Sequence, residues 1–499
     1  MITYFVAFLC SLMVGMALTL AVRNRALRFG WVDRNDSSRK IHAAPIPRLG
    51  GIAIVGGFFA PLCALLIIDT AVGRIFRANP ELIAGLFAGG MVIALLGLYD
   101  DFHGAGARLK FVIQFAVAVG LYRVGFRIEQ IANPFGEPLP LGVLGVPFTL
   151  LWIVGLMNAM NLIDGLDGLA GGVAFFAVAT NFILAFARGE VLLCLVMAAL
   201  AGAVLGFLVF NLHPASIFMG DTGSMFLGFV LATVSIRTSA KSGTAVAMLV
   251  PVIALGLPIM DTLLAIFRRT LLGRAVFSSD KEHIHHRMMS RLVMSHRRAV
   301  LVLYGICCLF ALTALGLAYA NSAQGAMLLL GVGLVVFVLM RKLGYLSLRQ
   351  VAVVNDARRR NIQLRSLVKQ VNGDIALAEN VEEIWSSVRP LAEALQAACL
   401  ELRIEKRAGE GKDEVVFETR RRAGSALPLD VGVDINIGES RIGRLRLSWH
   451  DGRGEVNRDE ELALEMVADS IAKAAAEILS FAGLAHDAAK PVNVVSLRK

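Results

Sequence analysis

Long uninterrupted apolar runs, more than any other feature, restrict what this chain can fold into. Blocks of roughly 17–25 apolar residues recur, the length a helix needs to cross the hydrocarbon of a bilayer. They fall at about 2–22, 49–68, 82–98, 109–126, 141–160, 169–187, 190–210, 224–239, 244–267, 299–320 and 325–341. Hydrophobic residues make up 56% of the 499, and charged residues only 18%, below the quarter usual for soluble domains. The expected fold class is an α-helical polytopic membrane protein of about eleven transmembrane helices. After about residue 345 the sequence changes character. Six cysteines show no CxxC pair and no disulfide spacing and read as small apolar residues. Residues 1–22 lack a basic leader, since Arg23, Arg25 and Arg28 follow the run, so no cleaved signal peptide is expected.

The net charge of +10 is carried largely by short loops between apolar blocks, which sets topology and gives no reason to expect nucleic acid. The loop after the first block holds Arg23, Arg25, Arg28, Arg34, Arg39, Lys40 and Arg48 against Asp33 and Asp36. The loop after the ninth holds Arg268, Arg269, Arg274, Lys281, Arg287, Arg291, Arg297 and Arg298 against Asp280 and Glu282. Loops of the other parity are poorer in base. The positive-inside rule then puts these two loops and the C-terminus in the cytoplasm and the N-terminus outside. That assignment also brings four polar clusters, near residues 100, 164, 221 and 285, to the cytoplasmic face, which suggests one shared site.

Each cluster has a plain reading and a chemical one. LYDDFHGAGARLK (98–110) ends a helix with Asp100 and Asp101, adjacent carboxylates that call for a metal or a cation such as Lys110. NLIDGLDGL (161–169) is either a polar turn or a loop wrapping a ligand, with Gly165 and Gly168 free to take positive φ. FMGDTGS (218–224) puts Asp221 at a helix mouth, with Thr222 and Ser224 as capping types. DKEHIHHRM (280–288) holds three histidines but no other zinc ligands nearby, so its basic flanks favour phosphate over zinc. RKIHAAPIPRLGG (39–51) reads first as topology-setting charge, and Asp261, in the ninth block, either lines the same cavity or snorkels. Acids suited to Mg²⁺ or Mn²⁺, a cationic loop and a greasy wall are the equipment for phosphoryl transfer to a lipid.

The tail predicts a basic helix over 355–372, an amphipathic helix over 376–398, four alternating stretches with the period of strands, and a last helix over about 457–480. This is a small soluble α+β domain that resembles a GAF domain in outline. The expected division is 1–342 for the membrane domain, 343–375 for a basic helical linker, 376–482 for the α+β domain and 483–499 for a disordered tail.

DDFHG, NLIDGLDGL, FMGDTGS and HIHH, in that order over residues 1–342, resemble the signature loops of the polyprenyl-phosphate N-acetylhexosamine-1-phosphate transferases. RKIHAAPIPRLGG and the histidine loop are similar to the WecA/TagO branch and differ from the muramoyl-pentapeptide branch. The resemblance implies transfer of an N-acetylhexosamine 1-phosphate from a UDP-sugar, GlcNAc by default, to undecaprenyl phosphate in the bacterial inner membrane. It implies Mg²⁺, or Mn²⁺, held by Asp221 with Asn161. Asp167 would face the uridine and Asp164 shape its loop. Asp100 and Asp101 would lie near the lipid phosphate, with Asp100 as base or positioning group. His283, His285, His286 and Arg287 would handle the diphosphate and sugar, and Gly168, Lys110 and Arg48 complete the substrate set. A homodimer and a partner or ligand for the tail are open. An ion-coupled transporter would place its acids near the midplane and within a repeat, and neither is seen. An inactive anchor for a sensory tail is opposed by every signature position being filled.

Overall fold

The structure is a computed structural model, and it describes residues 1–32, 46–131, 139–240, 249–271, 283–345, 350–408, 411–420, 429–437, 440–452 and 456–481. Arg34, Arg39, Lys40 and the 483–499 tail lie outside the described residues. The chain divides into two compact units, Met1–Arg34 with His42–Arg268 and Phe277–Leu348, and Asn35–Ile41 with Arg269–Val276 and Arg349–Lys499.

The first unit is helical. In chain order come α1 (Ile2–Phe29), α2 (Gly51–Ile67), α3 (Ala71–Arg77), α4 (Pro80–Ala84), a π-helical turn (Gly85–Gly89), α5 (Gly90–His103) and α6 (Ala107–Arg123). A two-stranded antiparallel ribbon, β1 (Gln130–Ile131) and β2 (Leu139–Pro140), precedes a short 3-10 turn. Then follow α7 (Gly145–Ile163), α8 (Leu169–Ala187), α9 (Val191–Asn211), α10 (Gly220–Ala240), α11 (Leu249–Ala254), α12 (Gly256–Leu271), α13 (Ile284–Arg291), α14 (His296–Tyr319) and α15 (Ser322–Lys342).

Each of the eleven expected stretches overlaps helix among the described residues, the ninth only from Leu249 on, where it is split between α11 and α12. Seven of the described helical stretches are long and apolar enough to cross a membrane, or eight if α2 and α3, bent by 98°, form one span. The others fall short for visible reasons. α6 carries Arg108, Lys110 and Gln114, α10 carries six Ser and Thr, and α12 has 16 residues with Asp261, Arg268 and Arg269 among them. The chain is a multi-pass membrane protein.

Buried aromatics fix the middle of this unit. Phe226 of α10 packs edge-on against Phe58 and Phe59 of α2, with ring centroids 5.4 and 5.7 Å apart. α1 lies so close to α9 that a Cβ on Gly202 would sit 2.2 Å from the Phe8 carbonyl oxygen, and one on Gly206 would sit 2.6 Å from that of Leu12. Only glycine allows that approach, and the reward is dispersion contact along two helix faces, the main adhesive where water is absent. The six cysteines form no disulfide: Cys194 and Cys307 are buried, whereas Cys63 and Cys308 are exposed.

The second unit contains α16 (Gln350–Ala376), α17 (Val381–Ala394), β3 (Cys399–Ala408), β4 (Gly411–Arg420), β5 (Leu429–Ile437), β6 (Ser440–Trp449) and α18 (Arg458–Phe481). Its antiparallel sheet has the order β4-β3-β6-β5. Alternate residues Leu400, Leu402 and Ile404 of β3 and Leu445 and Leu447 of β6 are buried, and join Ile384, Val388, Leu464 and Ile471 of the helices in a core of its own. The period of two seen in the sequence is therefore the buried face of a sheet.

Candidate active site

Asp100 and Asp101 are neighbours in sequence with different partners. Asp101 closes the N-terminus of α10. Its Oδ1 accepts from the Asp221 backbone N–H (2.8 Å), and its Oδ2 accepts from the Thr222 N–H (3.1 Å) and hydroxyl (2.6 Å). The first N–H groups of a helix have no partner within it, and here a carboxylate from α5 supplies one and complements the helix dipole. The expected capping by Thr222 and Ser224 is replaced: Thr222 donates to Asp101, and the Ser224 hydroxyl donates to the Gly220 carbonyl (3.0 Å). Gly97 lets α5 come this near, since a Cβ there would lie 2.4 Å from the Thr222 Cα.

Asp100 turns the other way, accepting from the Ala105 N–H and from Lys110 Nζ (2.7 Å). The same ammonium donates to Asp221 Oδ2 at 2.8 Å. Lys110 thus joins a carboxylate from α5 to one from α10. Asn161, at the end of α7, donates to Ser224 Oγ (3.0 Å), which brings its amide beside the Asp221 carboxylate. Arg48 is delivered by backbone pairing. The Phe218 N–H donates to the Pro47 carbonyl (2.7 Å), and the Gly50 and Gly51 N–H groups donate to those of Phe218 and Met219. The stretch IPRLGG is in this way stitched to FMG, although 170 or so residues separate them.

Asp164 lies in the turn between α7 and α8. Burial, then the charges of Asp221 and Asp101, push its carboxyl up to about 7, with Arg48 opposing. Asp167 is buried. Its Oδ2 pairs with His213 Nδ1 (2.7 Å) and accepts from the Ala215 N–H (3.2 Å). Gly168 has φ of 77°, as expected, and its N–H and carbonyl are held by Asn211 (3.0 Å) and Tyr304 (2.6 Å). Gly165 does not take positive φ; it is needed for closeness, because a Cβ there would meet His285 Nε2 at 2.4 Å.

The three motif histidines are not equivalent. His283 Nδ1 pairs with Asp261 Oδ2 at 2.8 Å. His285 is buried, its Nε2 has no hydrogen-bond partner among the described residues, and burial followed by His286 pushes its pKa down to about 3, so it is neutral. His286 is half-buried, its ring 4.3 Å from that of His285. Arg287 donates to the Leu343 carbonyl (3.1 Å) and lies 4.0 Å over the Tyr345 ring, so it ties α13 to the end of α15.

The polar clusters near residues 100, 164, 221 and 285 are therefore neighbours in space. Asn211, His213, His296 and Tyr304 were not foreseen as site residues. They hold the 164–168 turn from the end of α9, the loop after it and α14, and nothing in their spacing links them to it. Asp167, His213 and His296 could in principle gather a metal, having ligand atoms within 4.8 Å of one another. However, the two rings stack at 4.4 Å and 19°. A bound ion must lie near the plane of each imidazole, which a near-parallel stack prevents, so the pair braces Asp167 instead. The residues suited to a hard cation are the carboxylates of Asp221 and Asp100 with the Asn161 amide, an oxygen-rich set. Among the described residues, four carboxyl groups, counting Asp101 and Asp164, stand against two cations, Lys110 and Arg48. A divalent ion fits that excess of negative charge.

The sequence profile of glycosyl transferase family 4 matches residues 83–239. A probable undecaprenyl-phosphate N-acetylglucosaminyl 1-phosphate transferase of Bacillus subtilis is 40% identical over 322 residues, 64% of this chain and 87% of that protein. A decaprenyl-phosphate N-acetylglucosaminephosphotransferase of Mycolicibacterium smegmatis is 37% identical, covering 64% of this chain and 83% of that one. An undecaprenyl-phosphate alpha-N-acetylglucosaminyl 1-phosphate transferase of Yersinia pestis is 26% identical over 58% of this chain and 77% of its own length.

Proposed function

Because the chain belongs to the polyprenyl-phosphate N-acetylhexosamine-1-phosphate transferases of glycosyl transferase family 4, we propose that it moves GlcNAc 1-phosphate from UDP-GlcNAc to undecaprenyl phosphate. An oxygen of the lipid phosphate attacks the sugar-bearing phosphorus, the bond to UMP breaks, and undecaprenyl-diphospho-GlcNAc forms. The observation that carries this reading is the Asp100–Lys110–Asp221 bridge beside Asn161, in a membrane protein whose similar relatives are named for the same transfer. The setting is the bacterial cytoplasmic membrane, with the site on the cytoplasmic face, in keeping with the bases of the loops after α1 and α12.

Asp221, Asp100 and Asn161 would hold Mg²⁺, which when bound offsets charge on the phosphates. Lys110 places an ammonium where the two phosphates meet and lowers their mutual repulsion. Asp101 keeps α10, and so Asp221, in register. The 164–168 turn, braced by His213, Asn211 and Tyr304, forms the wall for the nucleotide, and Arg48 adds a cation at its rim.

The test is UMP release by purified protein given undecaprenyl phosphate, Mg²⁺ and a panel of UDP-sugars. UMP from UDP-GlcNAc is expected; folded protein that releases none from any donor would refute the assignment. Asp221→Ala should cut turnover by about 10²–10³-fold, the usual loss for a group that stabilises transition-state charge, and weaken Mg²⁺ binding. Asp167→Ala should weaken UDP-sugar binding more than metal binding.

A further inference from the structure

Asp261 stands in α12 and is 2% exposed. A carboxylate that deep is tolerated only when its oxygens are occupied. Oδ1 accepts from the Ile284 N–H (2.8 Å), the first N–H of α13, and Oδ2 pairs with His283 Nδ1 (2.8 Å). One side chain therefore fixes both the start of α13 and the ring that precedes it. Since the carboxylate can only accept, Nδ1 carries the hydrogen, and Nε2 is the nitrogen on the far side of the ring.

Among the described residues, the titratable groups about His283 are Asp261 on α12, His285 with its ring 5.8 Å away, and His286 beyond that. His285 is neutral and set against Gly165. The Asp261 carboxylate lies at the back of the His283 ring, 2.8 Å from Nδ1.

We propose that Asp261 is a positioning residue for the transfer: it orients His283 and keeps an N–H at Nδ1, so that Nε2 hydrogen-bonds an oxygen of the sugar nucleotide's diphosphate. This rests on the reaction proposed above. A ring between two anionic acceptors must donate from both nitrogens, and only the imidazolium has two N–H donors. The Asp261 carboxylate thereby places a positive charge at the diphosphate.

Asp261→Asn separates this from a purely structural role. The amide oxygen can still accept from the Ile284 N–H, while the amide NH₂ now meets Nδ1 and requires a lone pair there. The ring is then satisfied as a neutral species with its hydrogen on Nε2. D261N should melt within a few degrees of wild type and lower kcat by about 10–100-fold, the usual loss when the hydrogen-bond partner of a functional histidine is removed. The alkaline limb of its pH–rate profile should move to lower pH. His283→Gln should remove that limb, and D261N/H283Q should be no slower than H283Q alone. A normal kcat and profile in D261N, multiplicative losses in the double variant, or a retained limb in H283Q would each overturn the pairing. Wild-type turnover is measured alongside: a silent wild type counts against the reaction, and an active wild type with a normal D261N counts against Asp261.

Discussion

Asp164 shows how far neighbours can move one residue. Its carboxyl sits near 7, against an ordinary value near 3.8, because burial and the charges of Asp221 and Asp101 outweigh Arg48. Between those two pH values the folded protein holds a proton that the unfolded chain has released. Stability is therefore highest near and below pH 4 as far as this group is concerned, and falls as pH rises toward 7. In chelator, the melting temperature should drop between pH 5 and pH 8, and Asp164→Asn should flatten that slope. An unchanged slope would mean that Asp164 ionises freely. At this scale the sequence was informative about residue types and silent about partners. DD, DGLDG, GDTG and HIHH were visible as chemistry. That Asp101 would cap a helix 120 residues away while Asp100 met Lys110 was not, because adjacent helical residues point about 100° apart and the partners are chosen by packing.

Elements explain why those residues meet. α5 and α10 approach through Gly97, and the Asp101 cap exists only at that separation. Gly97→Ala adds one methyl where the nearest atoms are backbone, so the helices must part. Overpacking of this kind costs about 1–3 kcal/mol, and the larger effect should be on function. Activity should fall at least tenfold while the protein still folds, with the Mg²⁺ dependence displaced to higher concentration; an active G97A with normal Mg²⁺ dependence would show that the spacing of α5 and α10 is not critical. The helices themselves were legible from apolar length. What length could not show was how α10 and α12 trade apolar residues for Ser, Thr, Asp and Arg where they line polar ground, or how α2 and α3 break at 98°.

For the whole molecule, every foreseen site residue belongs to the first unit. The second unit has its own sheet, helices and core, and contributes none. A chain ending at Leu348 should therefore still release UMP from UDP-GlcNAc, and complete loss in a folded, membrane-inserted sample would give the second unit a direct part in catalysis. The alternating strands of the tail were readable because a sheet with one covered face leaves its period in the sequence. The assembly of the membrane site was less so, since IPRLGG and FMG are joined by backbone hydrogen bonds, whose partners residue types do not reveal.

The glycine-mediated contact between α1 and α9 bears on how the protein is made. Gly202 leaves the ribosome about 190 residues after Phe8, which at 5–20 residues per second is roughly 10–40 s. For that interval α1 has α2 beside it but lacks the partner against which its small-residue face is shaped. α1 is thus fully seated only well after it is made, and its flank must be covered by lipid or by the insertion machinery until α9 arrives. A substitution at Gly202 or Gly206 would then act first on yield, through chains that never close, and only afterwards on the chemistry of those that do.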